Sequence, residues 1–383
     1  MDNKKIYIVT SYYGNNVGSS LQCFALSKVI AKNGYEPIVV SLSEKRGILF
    51  LNKIKRISIK LFKGVLHPTL LKKQIQSKMK KKKNDDSNFL FETFNNSYLP
   101  IKNFSYKELN VSSRSKDCVA CVAGSDQIWN TEEAVLDKIN YLLFSPKEKN
   151  IAYAPSFGQA FIYNYNKRFV KNALKNISYL SCREAQGCSL IEKLIGKKAE
   201  HVLDPTLLLS KDEWLNCFKI KSKEDNSLFV YLLDSPSEMT INLIKSKKDC
   251  YSKIVLYCKK DVPDSLKEDI DTFVDCDPIS FIKLISQSGF VITDSFHGTI
   301  FSILFEKSFI TVERNYKNVD GDGNVRINDL LNIFNLKEFF VKENLAKLES
   351  PNYKVVHEIL QSQKEKSINY LFDSIKSTSN PTE

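Results

Sequence analysis

KKIYIVTSYYGNNVGSSLQCFALSKVIAKNGYEPIVVSL, residues 4–42, decides the fold. Residues 4–10 form a β-branched, mostly apolar run, a Gly and Asn loop follows, and residues 19–33 carry apolar side chains at helical spacing. Gly34 stops that helix, and EPIVVSL, residues 36–42, supplies a second strand. Strand, helix and strand make a βαβ unit, which implies a parallel sheet.

The same rhythm runs outward. Further strands are expected at CVACV, at NIAYA, near residues 177–181 and at EHVLD, with helical patterns between most of them. DPTLLLSKDEW then leads into the polar stretch KIKSKEDNS, which reads as a domain boundary. A second α/β set follows, with strands at SLFVYLLD, KIVLYC, GFVITD and FITVE and helices at residues 277–287 and 299–305. The fold class expected is therefore α/β, with two doubly wound Rossmann-like domains facing a central cleft and a C-terminal helix. The divisions are residues 1–210, 226–345 and 346–383. In such sheets ligands bind at the carboxyl ends of the strands.

A chain of 383 residues, 43% hydrophobic, is long enough to bury two cores. Its net charge of +12 is local. Between Lys45 and Lys83 there are fourteen Lys or Arg and no Asp or Glu, leaving −2 for the remainder, so the charge is no nucleic-acid signature of the fold. That segment interleaves its cations with Ile, Leu and Phe, which suits peripheral contact with an anionic membrane; the plainer reading is a solvated insertion. No apolar run reaches spanning length, and the opening lacks the apolar core of a signal peptide. Nine scattered cysteines, mostly in hydrophobic segments, fit a reducing cytoplasm. Cys118 and Cys121 are expected on opposite faces of a strand, which argues against a metal or redox pair.

Four places carry candidate chemistry. In the first βα turn, Gly14, Asn15, Gly18, Ser19 and Gln22 stand where backbone N–H groups and a helix N-terminus receive anions or sugar hydroxyls. In AGSDQIWN, residues 123–130, Ser125, Asp126 and Gln127 can bond hydroxyls while Trp129 stacks on a sugar ring; a capped helix start with a core Trp is equally compatible. YAPSFG places Ser156 at a strand end, and SCRE puts Arg183 at a strand-to-helix junction, suited to clamping a carboxylate or phosphate, or to a plain ion pair with Glu184. In VITDSFHGTIFSILF, residues 291–305, a strand ends and His297 with Gly298 opens a helix, a ligand-facing context that His67, His201 and His357 lack. The next strand end brings Glu313, Arg314 and Lys317, with cations for an anion site. DGDGN, residues 320–324, lacks the glycine and glutamate of an EF-hand register, and no Walker loop, HExxH helix, GxSxG elbow or complete GxGxxG occurs. No metal and no cofactor are expected.

Taken in order, GNNVGSSLQ, GSDQIWN, APSFG, SCRE, LDPTLLL and DSFHGTIFSILFEKSFI resemble the polysaccharide pyruvyl transferase family over roughly residues 5–335. The resemblance implies a fold similar to the GT-B glycosyltransferases, phosphoenolpyruvate as donor, a sugar acceptor that is a repeat unit or lipid-linked, and a cyclic ketal across two hydroxyls in capsule or exopolysaccharide synthesis. It implies that His297 serves in acid–base catalysis and that Arg183 holds the donor. The chain departs from the pattern at Ser295, where some members have Arg; Arg314, Lys317 and Arg326 are the cations that could compensate. Rival readings are a GT-B glycosyltransferase using a nucleotide sugar, and a noncatalytic carbohydrate- or nucleic-acid-binding protein.

Overall fold

The computed structural model describes residues 4–43, 85–132, 136–221, 223–314, 324–341 and 350–379. The basic segment 45–83, with its expected membrane contact, and Lys317 lie outside the described residues.

Two parallel sheets form, each from the strands that alternate with helices in the sequence. The first contains β1 (Lys5–Val9), β2 (Glu36–Leu42), β3 (Ile101–Phe104), β4 (Cys118–Ala123) and β5 (Asn150–Ala152), in the order β3-β2-β1-β4-β5. β1 is central and buried on both faces apart from its first residue, which is why its apolar run does not alternate. A small parallel pair, β6 (Ser181–Cys182) and β7 (Glu200–His201), stands apart. The strand expected near residues 177–181 is thus only two residues long. The second sheet contains β8 (Ser227–Leu232), β9 (Lys253–Cys258), β10 (Thr272–Phe273), β11 (Phe290–Thr293), β12 (Ser308–Val312) and β13 (Phe340–Val341), in the order β10-β9-β8-β11-β12-β13.

The βαβ unit forms as its sequence demands. Asn16 caps the helix Val17–Lys32 by accepting from the Ser19 N–H at 3.3 Å, and the helix crosses to bring β2 parallel to β1. Both sheets use this connection, so both present their strand ends to one cleft.

An aromatic cluster joins the halves. Trp214, on the short helix Lys211–Cys217 at the expected boundary, is fully buried, lies 5.6 Å from Phe24 and meets Phe301 edge-on at 5.1 Å. Its indole N–H donates to the Thr206 carbonyl, so nothing polar is stranded. Burying an aromatic ring of this size stabilises by about 3 kcal/mol.

The C-terminal helix does not stand apart either. Tyr353–Ser379 returns to the first sheet, where Thr378 Oγ1 donates to the Val119 carbonyl and Tyr370 Oη to that of Ala152.

The cysteine expectation is corrected. The register between β1 and β4 slips after Lys5, which pairs with Cys118 while Ile6 pairs with Ala120. One extra residue in β4 turns Cys118 to the side of Cys121, and their sulfurs lie 3.9 Å apart in the buried core. Among the described residues no helix is long and apolar enough to cross a membrane.

Candidate active site

A cleft of about 790 Å³ opens between the strand ends of the two sheets. Its first wall comes from the N-terminal domain, including Tyr13, Gly14, Asn16, Ser19, Asp126, Gln127, Asn130 and Asp137. Its second comes from the C-terminal domain, including Asp294, Phe296, His297, Arg314 and Arg326. The two arginines stand on the second wall beside Asp294, with amides, the carboxylates of Asp126 and Asp137, and Tyr13 on the first.

His297 owes its place to the helix Phe296–Leu304, which starts three residues earlier than the sequence suggested. Ser295 is its N-cap and accepts from the Gly298 N–H at 3.3 Å. This corrects the role expected of Gly298: its amide is already used, and its lack of a side chain serves packing, since a Cβ there would stand 2.2 Å from Thr293 Oγ1. Ser295, where the chain departs from the family pattern, caps the helix and also lines the cleft.

The imidazole lies across Gly18 of the opposite domain. A Cβ on Gly18 would come within 1.9 Å of His297 Nδ1 and 2.4 Å of Cγ. Gly18→Ala is therefore expected to displace the ring by about an ångström and lower turnover about 100-fold. Alanine is the better helix former, so thermal melts should show no matching loss of stability. Kinetics and melts on one preparation test both halves of this statement.

Arg183 stands elsewhere than expected. Its side chain is fully buried and does not line the cleft. Nη1 donates to Asp204 at 2.8 Å, Nη2 donates to Asp126 at 3.3 Å, and the guanidinium lies 4.5 Å from the Phe296 ring. With the fork spent on two carboxylates, donor clamping does not fit this geometry. Burial resists ionisation of both carboxyls, but their charged and hydrogen-bonding partners prevail. Arg183 and His297 hold Asp126 below the usual carboxylate range, and His297, Arg183 and Thr206 hold Asp204 well below it.

The cation that does face the cleft beside Phe296 is Arg326, 5.7 Å from the same ring. Gln127, its amide oxygen turned toward the guanidinium, accepts from Arg326 Nη1 at 2.6 Å, joining the two walls. Arg314 also lines the cleft, its Nε donating to Asp234 Oδ2 at 3.0 Å. Asp294, which sequence reasoning passed over as a strand terminus, lines it too. Burial pushes its carboxyl up to about 6, against the opposing pull of the Leu233 and Asp234 N–H groups that it accepts.

Other expected residues divide. Gly14 and Ser19 line the cleft, and Asn15 holds the loop at φ +49°. Ser19 Oγ donates to Asp126 at 2.5 Å. Gln22 is fully buried, bonding Thr10, Ser11, Ser19 and the Ser125 N–H, so it braces the turn instead of meeting a ligand. Ser125 donates to Ala154 O and Asp204, and Ser156 accepts from Gly158 N; neither reaches the cleft. Glu313 is not among the residues that line the cleft and accepts from Asn324.

Trp129 is corrected as well. No helix follows Asp126, whose φ is +70°, and the indole is fully buried, stacked at 4° on Tyr141 with its N–H donating to Asn140 O. It cannot receive a sugar ring. Tyr13, 57% exposed, is an aromatic ring that does line the cleft. Among the described residues no three His, Cys, Asp or Glu converge as a metal site.

The polysaccharide pyruvyl transferase family model matches residues 16–316. No curated protein matches the chain significantly. Solved structures that it resembles include the UDP-GlcNAc 2-epimerase of Neisseria meningitidis (10% identity, 96% of this chain and 100% of that one, TM-score 0.44). Others are the glycosyltransferase SnogD of Streptomyces nogalater (10% identity, 97% and 99%, TM-score 0.45) and the UDP-GlcNAc 2-epimerase of Methanocaldococcus jannaschii (9% identity, 93% and 92%, TM-score 0.46).

Proposed function

Because the chain belongs to the polysaccharide pyruvyl transferase family, we propose that it moves pyruvate from phosphoenolpyruvate onto two hydroxyls of one sugar, making a cyclic ketal for a bacterial surface polysaccharide. The observation that supports this reading best is the meeting of one histidine with two arginines, Arg314 and Arg326, on a single cleft wall. Carboxylate and phosphate, the two anionic ends of the donor, match two guanidiniums. The facing wall, with Tyr13, Asn130 and Asp137, has the hydroxyl-bonding and stacking groups that a sugar uses.

In the reaction proposed, His297 delivers a proton to the methylene carbon of the enol phosphate, which becomes the methyl group. The adjacent carbon gains oxocarbenium character and is attacked by the first sugar hydroxyl, whose proton returns to the imidazole. The carbon–oxygen bond to phosphate then breaks, and the second hydroxyl closes the ring on the same carbon. One hydroxyl proton replaces the one delivered, the other leaves with phosphate, and no oxidant or reductant is required. The arginines would hold the donor while its charge moves toward the departing phosphate.

Incubation of the protein with phosphoenolpyruvate and a panel of free and lipid-linked sugars tests this. Phosphate release coupled to a new ketal methyl signal in the NMR spectrum supports it. Release of nucleoside diphosphate from a nucleotide sugar, with no consumption of phosphoenolpyruvate, would replace it by glycosyl transfer. Arg326→Ala is expected to raise the KM for phosphoenolpyruvate roughly 10- to 100-fold, as the loss of a charge-assisted contact does. The acceptor KM should change little.

A further inference from the structure

We propose that Asp204 is the positioning residue for His297, keeping the imidazole proton on Nε2 so that Nδ1 is the nitrogen that exchanges protons with substrate. This deepens the function proposed above and rests on it only where turnover is concerned.

The geometry is specific. His297 Nε2 is buried and has no hydrogen-bond partner, yet it faces Asp204 Oδ2 at 3.8 Å. An orphaned ring nitrogen in a buried place is costly, and it has a carboxylate aimed at it from the other domain. The gap exceeds a hydrogen bond by less than an ångström. Catalytic hydrogen bonds are commonly long without substrate and shorten when it binds.

Asp204 is itself immobilised. Oδ1 accepts from Thr206 N at 3.1 Å and Thr206 Oγ1 at 2.7 Å, while Oδ2 accepts from Arg183 at 2.8 Å and Ser125 at 3.0 Å. Arg183 divides its charge between Asp204 and Asp126, and Glu184 lies 4.0 Å from its Nε, so carboxylate charge remains to attract an imidazole N–H. The other charged groups near His297 are Asp126, Asp294, Arg314 and Arg326, all of which line the cleft. On its opposite side the ring meets Gly18, which offers no side chain. A proton on Nε2 therefore has an acceptor, and a proton on Nδ1 has none among these groups. Arg183 acts on the chemistry at second hand, by fixing the carboxylate that fixes the histidine.

The test uses the whole protein labelled with ¹⁵N-histidine, without substrate, and His297→Gln to assign the signal of interest among four histidines. Neutral His297 is expected as the Nε2–H tautomer in the wild-type protein, and Asp204→Asn is expected to abolish that preference. Asp204→Asn should also lower kcat on the order of 100-fold with the KM for phosphoenolpyruvate nearly unchanged. A wild-type spectrum showing the Nδ1–H tautomer overturns the proposal, even if the variant fails to fold. So does a folded Asp204→Asn variant with undiminished kcat. Because the tautomer is read without donor or acceptor, an Nε2–H signal beside a failure to make any ketal would sink the proposed function and leave this pairing standing.

Discussion

His297→Ala is expected to reduce turnover by about 10² to 10⁴-fold, the range that a positioned acid–base group supplies. The fold should survive, since the side chain lines the cleft and makes no hydrogen bond through its buried Nε2. The KM for phosphoenolpyruvate should move far less than kcat, because the arginines proposed to hold the donor remain. A variant that kept near-normal kcat with an intact melting profile would remove His297 from the chemistry. The substitution bears on the whole proposal, for among the described residues it strikes the only histidine that lines the cleft.

Arg183→Met is expected to behave oppositely and cost stability first, by about 3–5 kcal/mol, because removing one member of a buried ion group leaves its partners buried and uncompensated. Urea or guanidinium unfolding measures this. The pH dependence follows from the carboxyls that Arg183 serves. Asp204 and Asp126 titrate below the ordinary aspartate value of 3.8 in the folded protein, so their contribution is complete above that value and is lost progressively as pH falls from it through the lower folded values. The stability difference between wild type and variant should therefore be full near neutrality and narrow below about pH 4. If Arg183 instead held the donor, unfolding would be unchanged and only the KM for phosphoenolpyruvate would rise.

The contrast between these residues shows what could be read in advance. The βαβ opening was legible because strand and helix have different periods and Gly34 punctuates them. His297 was legible because a histidine between a strand end and a helix start is placed by local rules. Arg183 satisfied the same local rule and still points inward, because its direction is set by Asp126 and Asp204, which approach from other parts of the chain. Trp129 illustrates a residue type that suits two environments equally; only the parallel ring of Tyr141 decides between them. The side of β4 taken by Cys118 turned on a one-residue slip against β1, which strand periodicity cannot foresee. Asp204 lay inside a recognised motif, but nothing nearby in sequence announces the imidazole that faces it from the other domain.

The return of the last helix to the first sheet has a mechanical consequence. The helix Tyr353–Ser379 bridges the lobes: the Tyr353 hydroxyl donates to the carbonyls of Ser302 and Lys307 in the second, and Tyr370 and Thr378 fasten the far end to the first sheet. A single strap would let the lobes swing in any direction, whereas two straps act like a pair of door hinges and leave mainly one axis of rotation. The width of the cleft is then governed by an angle about that axis, not by outright separation of the lobes.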